Sequence, residues 1–328
     1  MHGQRGNDCG RRQPTPGSRR LARARSQCLL PGSRRCRTVG SWCPGVSAAE
    51  VRRFLERHGL RANRDLGQNF LCDPELAGRL VELAGVTVDD TVLEIGAGLG
   101  ILTRALAARA ARVVALEVDS GIVAALRAEG ALPANVELRH ADALTEDLAG
   151  LASVRGPVRL VANLPYAVSA PLLRRLLDLR GLLVDWSVML QREVAARLMA
   201  RPGSRDYGSL AVLHRFTTDV SQELRVSPGR FFPRPKVQSS FLRIRPLPEP
   251  WIAPGELAAV ERVVRAAFGQ RRKQLANALR GSQLWTGESV ALALRAAGVD
   301  VRARAESLDA RTLLEIARSL PPVPQTVP

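Results

Sequence analysis

Apolar and polar positions follow regular patterns from residue 46 onward, and these patterns predict strands that alternate with helices. Short Val- and Leu-rich runs predict buried strands, and stretches with apolar residues three or four apart predict the helices between them. The predicted strands cover residues 91–95, 112–117, 136–140, 158–162 and 186–190. The predicted helices cover residues 74–84, 101–110, 120–129, 170–179 and 193–200. This order indicates an α/β fold with a doubly wound, Rossmann-like parallel sheet.

The pattern changes toward the C-terminus. Two further strands, 221–226 and 239–245, have no obvious helix between them, so we expect an antiparallel pair at one edge of the sheet. After a Pro-rich segment at residues 246–254 the chain is predicted to be helical. The predicted helices there cover residues 257–268, 272–279, 289–297 and 309–320. We therefore expect a sheet domain over residues 46–247 and a small all-helical domain over residues 248–328.

Charge is distributed unevenly along the 328 residues. Residues 1–45 carry ten Arg and one Asp, which is +9 of the total of +17 and leaves +8 for the rest. This basic tail is rich in Gly, Pro and Ser and lacks periodicity, so we expect it to be disordered. The surplus charge of the body favours a polyanionic partner, most simply a nucleic acid, over a merely solvated surface.

Several functional classes are disfavoured. No apolar run approaches the length of a membrane span, so we expect a soluble protein with no membrane partner. Four of the five Cys lie in the tail at irregular spacings, and the His residues show no ligand spacing, so we expect no metal site. Sparse Cys in the body favours a reducing cytoplasm.

A Gly-rich turn, "VLEIGAGLGILT", follows the first predicted strand. Gly96 and Gly98 allow a tight turn that comes close to a ligand. A dinucleotide fingerprint, G-x-G-x-x-G, would have its last glycine at Ile101, but the third glycine here is Gly100. This spacing, with Glu94 before it, looks like methyltransferases that use S-adenosylmethionine (SAM).

Acidic residues follow the next two strands. Glu117 ends its strand about twenty residues beyond the turn, where a carboxylate can accept from both ribose hydroxyls of a nucleoside. Asp142, after the third strand, could accept from an adenine amino group. Ligands of such folds lie beyond the carboxyl ends of the strands, so these acids support a SAM site.

The fourth strand ends at "NLPY", residues 163–166. An exocyclic adenine nitrogen is a poor nucleophile, and two acceptors on its N–H bonds would localise its lone pair. We expect the Asn163 side-chain oxygen and the Leu164 carbonyl to be these acceptors, with Pro165 fixing the turn. Tyr166 offers a ring on which a flipped base can stack. The alternative is an ordinary strand exit with Tyr166 in the core.

Segments in the order "DLGQNFLCD", "VLEIGAGLGILT", "ALEVD", "HADAL", "NLPYAVS", "FFPRPKVQSSFLRI" and "FGQRRKQLANAL" closely resemble the ribosomal small-subunit RNA adenine dimethylases (KsgA/RsmA). The resemblance extends from about residue 61 to the C-terminus. It implies conversion of two adjacent adenines, in a 3′-terminal hairpin loop of small-subunit rRNA, to N6,N6-dimethyladenine. The cofactor contacts it implies are Asn69, Leu71, Gly96, Glu117, Asp142 and Asn163.

The resemblance also implies the contacts to the substrate. The target-base motif falls on residues 163–166. Phe232 is the better candidate for an aromatic residue that sandwiches the base, with Phe231 as the alternative. Arg61 and Arg64 are expected to contact RNA, as are Arg271, Arg272 and Lys273. The last three are predicted to start a helix, where its dipole disfavours cations unless an anion such as RNA phosphate lies nearby.

Other functions remain open on the sequence. A related macrolide-resistance methylase acts on one adenine of large-subunit rRNA, but the "YGSL" and "FGQRRK" segments favour the small-subunit enzyme. A mainly noncatalytic ribosome assembly factor is disfavoured by the intact cofactor pattern. A small-molecule methyltransferase would not need a basic helical appendage. We expect a monomer whose partner is small-subunit rRNA within the small ribosomal subunit or its precursor.

Overall fold

The computed structural model describes residues 47–63, 66–153 and 158–323. The tail predicted over residues 1–45 lies outside these ranges. The strands are β1 Phe70–Leu71, β2 Thr91–Ile95, β3 Arg112–Glu117, β4 Val136–His140, β5 Val158–Asn163, β6 Leu183–Gln191, β7 Thr218–Val226, β8 Phe231–Phe232 and β9 Ser239–Pro246. The helices are α1 Ala48–Arg57, α2 Pro74–Leu83, α3 Ile101–Ala107, α4 Ser120–Ala128, α5 Leu148–Ser153, α6 Ser169–Asp178, α7 Arg192–Met199, α8 Ser209–Arg215, α9 Leu257–Gly269, α10 Leu275–Gly281, α11 Gly287–Ala296 and α12 Ala310–Ser319.

Side-chain caps set the starts of several helices. Ser47 and Glu50 form a capping box at α1. Asp119 caps α4 by accepting from the backbone N–H groups of Gly121 and Ile122. Asp309 caps α12 in the same manner, through the N–H of Thr312. The helix starts are therefore encoded locally, before any tertiary packing.

Seven strands form one sheet in the order β4-β3-β2-β5-β6-β9-β7. The first five are parallel, and β9 pairs antiparallel with both β6 and β7. The doubly wound α/β fold and the antiparallel pair at one edge are thus confirmed. The strand order reverses between β2 and β5, and ligands of such sheets bind in the crevice outside the carboxyl ends at that point.

A second, two-stranded sheet pairs β1 with β8, with Phe70 opposite Phe232 and Leu71 opposite Phe231. This sheet was not predicted from the sequence pattern. The predicted start of a helix at Arg272 is wrong, because α10 begins only at Leu275. The preceding cations lie in the turn between α9 and α10.

The C-terminal helices share their apolar core with one face of the large sheet. A single cluster of buried side chains includes Trp186 of β6, Phe216 after α8, and Leu257 of α9. The rings of Tyr207 and Phe268 meet edge to face, with their centroids 5.7 Å apart. The change of composition near residues 246–254 is therefore not a break in packing, and the expected domain boundaries stay a prediction.

No helix within the described ranges has the length and apolarity needed to cross a membrane.

Candidate active site

A cavity of about 900 Å³ opens at the carboxyl ends of β2, β3 and β5. Segments that are far apart in sequence meet there: the Gly-rich turn after β2, the "NLPY" exit of β5, and residues 66–71, which we call the cover segment. The cavity is lined by all six expected cofactor residues: Asn69, Leu71, Gly96, Glu117, Asp142 and Asn163. Leu164, Pro165 and Tyr166 line it as well.

The Gly-rich turn approaches the other walls closely. Gly96 and Gly98 have φ angles of 81° and 52°, in the left-handed region that favours glycine. A Cβ on Gly98 would lie 3.2 Å from the ring of Phe70, and one on Gly96 would lie 3.6 Å from the Asn163 carbonyl oxygen. A side chain at either position would strain the backbone, and one at Gly98 would also press against the Phe70 ring, so both positions favour glycine.

Glu117 braces this turn from the end of β3. Its Oε2 accepts from the Gly98 N–H at 2.7 Å, and its Oε1 accepts from the Asp119 N–H at 3.0 Å. Burial raises the pKa of Glu117, although these two N–H donors counter the effect. Each carboxylate oxygen has a second lone pair. The expected bonds to ribose hydroxyls stay a prediction.

Asp142 lies at the exposed rim, two residues after β4. Its Oδ1 accepts from the Leu144 N–H at 2.9 Å, which fixes the carboxylate beside the cavity. Its expected role as acceptor for an adenine amino group stays a prediction.

The cover segment packs tightly on the exit of β5. Gly67 has φ of 64°, and a Cβ there would lie 3.1 Å from the Tyr166 nitrogen and 3.3 Å from the Ala167 nitrogen. Gln68 Nε2 donates to Asp119 Oδ2 at 2.9 Å. The segment "DLGQNFLCD" does not by itself indicate a role for Gly67 or Gln68, because their contacts form only in the folded chain.

The side chain of Asn163 is oriented by the cover segment. Its Nδ2 donates to the backbone carbonyl of Asn69 at 3.1 Å. Because the nitrogen end of the amide is engaged, Oδ1 is left as an acceptor on a cavity-lining side chain.

The next carbonyl oxygens along the exit differ in their partners. Pro165 O accepts from the Ser169 hydroxyl at 2.9 Å and from the Val168 N–H. Within the described part of the chain, no hydrogen bond uses the carbonyl oxygen of Leu164. The exit thus retains two oxygen acceptors, Asn163 Oδ1 and Leu164 O.

Tyr166 is half-buried and lines the cavity beside these acceptors. Its hydroxyl lies 3.2 Å from Oγ of Ser239, which is buried at the start of β9. Burial raises the pKa of Tyr166, so the phenol is neutral at ordinary pH. The contact with Ser239 holds the ring at its hydroxyl end. No pattern in the sequence pointed to Ser239 as a site residue.

The two candidate phenylalanines lie outside the cavity lining. Phe231 is 3% exposed and belongs to the apolar core, whereas Phe232 is half-buried. Phe232 borders a separate groove, with the guanidinium of Arg52 5.4 Å from its ring centroid. Stacking of Phe232 on the target base stays a prediction.

The expected RNA-binding cations of the C-terminal region do not line the cavity. Arg64 is outside the described residues. Arg271, Arg272 and Lys273 are exposed in the turn before α10. Arg271 donates to the Arg205 carbonyl at 2.6 Å, so part of its bonding capacity is used within the protein. Arg271 and Arg272 border a surface cavity of about 1690 Å³. The other arginines that line it are Arg197, Arg205 and Arg304.

Glu94, beneath the turn in β2, is fully buried and neither carboxylate oxygen has a hydrogen-bond partner among the described residues. Burial, reinforced by Glu117, raises its pKa to about 8. The Thr103 hydroxyl lies close enough to offset part of this rise but forms no hydrogen bond of ordinary geometry. Glu94 therefore carries a proton at neutral pH.

Comparison with known proteins identifies the family. The profile of the family "Ribosomal RNA adenine dimethylase" matches residues 59–321. The chain belongs to the ribosomal RNA adenine dimethylase family. This dimethylase is 42% identical over 286 residues to ribosomal RNA small subunit methyltransferase A of Rhodospirillum rubrum, covering 86% of this chain and 96% of the relative. It is 40% identical over 269 residues to the protein of the same name from Geobacter metallireducens, covering 81% and 98%.

Solved structures agree on the fold of this dimethylase. A dimethyladenosine transferase from Plasmodium falciparum superposes with a TM-score of 0.61 at 22% identity, covering 74% of this chain and 94% of that one. ErmE, a 23S rRNA methyltransferase, superposes with a TM-score of 0.53 at 27% identity, covering 77% and 99%. The class I SAM-methyltransferase fold is thus confirmed.

Proposed function

We propose that this dimethylase transfers methyl groups from SAM to the N6 amino groups of two adjacent adenines in the 3′-terminal hairpin loop of small-subunit rRNA. The observation that carries the chemistry is the oriented amide of Asn163, which leaves Oδ1 beside the unused carbonyl of Leu164. The name shared by relatives at 40% and 42% identity supports the small-subunit substrate.

The residues around the cavity fit SAM. Gly96 and Gly98 line the cavity with left-handed backbone that disfavours side chains, and Glu117 presents a carboxylate to ribose hydroxyls. Asp142 and Asn69 add polar groups at the rim and the cover segment. When bound, SAM supplies an electrophilic methyl group.

Asn163 and Leu164 prepare the nucleophile. Two oxygen acceptors on the N–H bonds of an adenine amino group draw the nitrogen toward a tetrahedral shape and localise its lone pair. Pro165 has no N–H that would compete for these acceptors. The work of the protein is chiefly alignment, which is worth many powers of ten when the geometry is held firmly. The amino proton becomes acidic once the N6 nitrogen begins to bond to the methyl group. No side chain with a tuned pKa is therefore needed to begin methyl transfer.

Tyr166 holds the base. Stacking of a base on an aromatic side chain contributes roughly 1–3 kcal/mol, and the Ser239 hydroxyl fixes the tilt of this ring. The cations near Arg271 supply sequence-independent attraction to phosphate. We place the protein, as a monomer without a metal, with cytoplasmic small ribosomal subunits or their precursors.

The large-subunit alternative has weaker support. ErmE acts on 23S rRNA but is 27% identical to this chain, against 40% and 42% for the small-subunit relatives. A noncatalytic assembly role would not require the two open acceptors.

The decisive experiment measures methyl transfer from labelled SAM to undermethylated small subunits, to naked rRNA and to large subunits. We expect about four methyl groups per small subunit and none on large subunits. Asn163→Ala should lower transfer by at least a factor of roughly 100, the usual cost of losing one hydrogen bond to the transition state, while RNA binding persists. Near-normal turnover of Asn163→Ala, or preference for large subunits, contradicts the proposal.

A further inference from the structure

A groove of about 1120 Å³ lies beside the β1–β8 pair. We call it the Arg52–Phe232 groove, and its lining includes Arg52, Leu55, Glu56, Leu60, Arg61 and Phe232. Phe232 is the cross-strand partner of Phe70, which lines the active-site cavity. Paired strands lie about 4.7–4.9 Å apart, so the groove begins one strand spacing from the cavity.

The groove offers the chemistry that binds an unpaired base. Phe232 is half-buried and Arg52 is exposed, with its guanidinium 5.4 Å from the ring centroid. Single-stranded RNA is held by stacking of its bases on aromatic rings and on Arg guanidinium planes. Arg61, also exposed, adds a second cation at the same groove.

Arg52 is not needed to hold α1 in place. The helix is anchored by Val51, Phe54 and Leu55, which are at most 4% exposed. Arg57 on the same helix forms a salt bridge with Glu129, whereas Arg52 forms none with any described residue. Its charge is therefore available to a ligand.

The spacing fits a base with a small adjustment. Stacked bases are about 3.4 Å apart, so a base between ring and guanidinium needs about 6.8 Å, roughly 1.4 Å more than the observed separation. An exposed Arg side chain with several rotatable bonds can make this movement without disturbing the fold.

We propose that the Arg52–Phe232 groove binds the second adenine of the target pair, stacked between Phe232 and Arg52, while the first adenine occupies the cavity on Tyr166. This inference rests on the proposed function and assigns Phe232 to the neighbouring base instead of the target base. It also explains how two adjacent bases are held when one of them occupies the active-site cavity.

The test is a binding cycle between protein variants and abasic RNA. The RNA is the unmethylated hairpin of the small-subunit 3′ end, carrying an abasic nucleotide at either adenine of the pair. Wild-type protein should bind each abasic hairpin about tenfold more weakly than the intact one, because one stack is lost. Phe232→Leu, which keeps apolar volume, and Arg52→Gln should bind the intact hairpin about tenfold more weakly. In these variants, an abasic nucleotide at either adenine should lower the affinity for the hairpin only slightly further, because the remaining adenine occupies the cavity.

Arg53→Gln is the matched control, because Arg53 is an exposed neighbour on α1 that does not line the groove. This variant should bind the intact hairpin as wild type does, and it should lose the same affinity as wild type when either adenine is abasic. The proposal is overturned if Phe232→Leu and Arg52→Gln retain the same abasic penalty as wild type, if Arg53→Gln loses as much affinity as Arg52→Gln, or if the wild-type protein does not bind the hairpin. These binding results need no turnover. Absence of methyl transfer by a wild-type protein with the expected binding cycle would instead refute the proposed function alone.

Discussion

The side-chain nitrogen of Asn163 donates to the backbone carbonyl of Asn69 at 3.1 Å, across 94 positions of sequence. This bond joins the cover segment of the cavity to the residue that ends β5. It decides which end of the Asn163 amide remains for the substrate. A single hydrogen bond thus couples the position of the cover segment to the presentation of an acceptor.

Asn163→Asp separates these two effects. The variant keeps an acceptor oxygen but loses the donor to Asn69, and its carboxylate would repel the carbonyl. Losing a part-buried hydrogen bond costs about 0.5–1.5 kcal/mol, so we expect SAM binding to weaken by up to about tenfold, as measured by calorimetry. Asn135→Asp is the control, because Asn135 Nδ2 makes the same type of bond to the Ala107 carbonyl away from the cavity. It should leave SAM affinity unchanged, and an equal loss in both variants contradicts the coupling.

Gly67→Ala tests the close packing of the cover segment. The variant combines a left-handed backbone with a Cβ 3.1 Å from the Tyr166 nitrogen. We expect thermal stability to fall by the equivalent of about 1–2 kcal/mol, and kcat to fall more than tenfold. Gly130→Ala should lose similar stability with normal kcat, because Gly130 has φ of 56° but no atom within 4 Å of its Cβ position. Normal kcat in Gly67→Ala would refute the role of this contact.

Ser239→Ala tests the support of the aromatic ring. Loss of the 3.2 Å contact to the Tyr166 hydroxyl should raise the KM for RNA a few-fold and leave SAM affinity intact. Tyr166→Phe removes the other partner, so the double variant should resemble either single one. Tyr166→Ala removes the stack itself and should cost about 1–3 kcal/mol of RNA binding. Additive effects of Ser239→Ala and Tyr166→Phe would show that the two side chains act independently.

Glu94→Gln should stabilise the protein at alkaline pH. The pKa of Glu94 is raised to about 8 in the folded state by burial. Its contribution to stability is therefore complete below its unfolded pKa and is lost as the pH rises through 8. Gln imitates the protonated acid, so its advantage in the free energy of unfolding should grow by about 2–3 kcal/mol from pH 6 to pH 9. Urea titrations at both pH values measure this, and a constant difference would contradict the shifted pKa.

His214→Leu should flatten the loss of stability in acid. His214 is buried in α8, with Nδ1 3.0 Å from the Leu210 carbonyl, and burial lowers its pKa to about 4. The unfolded chain takes up this proton near pH 6.5, so the folded state loses stability as the pH falls from about 6.5 toward 4, by ~3 kcal/mol in total. Urea titrations at pH 7 and pH 4.5 should show a smaller drop for the variant than for wild type. An identical drop would assign the acid sensitivity to other groups.

The strands of the large sheet were predictable because their signal is local and repeated. The predicted strands 91–95, 112–117 and 136–140 coincide with β2, β3 and β4. Strands β1 and β8 have two residues each, too few to show a period, and their partners are distant in sequence. The start of α10 was misplaced because "RRKQLANAL" has helical composition throughout, whereas the chain makes a turn before Leu275.

The residues that line the cavity were predictable for a related reason. Glu117, Asp142 and Asn163 end or follow parallel strands, so topology alone brings them to one edge. The contacts of Gly67 and Ser239 depend on which segments meet in the folded chain, and no pattern within either segment encodes them. Phe232 illustrates the same limit, because the sequence placed an aromatic near the site without indicating which groove it borders.

The core shared by the sheet and the C-terminal helices bears on how the protein can be divided. Arg174 of α6 is hydrogen-bonded to Glu261 of α9, and the apolar cluster continues from β6 into α9. A fragment ending at residue 247 would leave the Tyr207 and Phe216 side of that cluster facing water. We therefore expect the truncated fragment to aggregate. We expect the intact enzyme to unfold thermally in one cooperative transition.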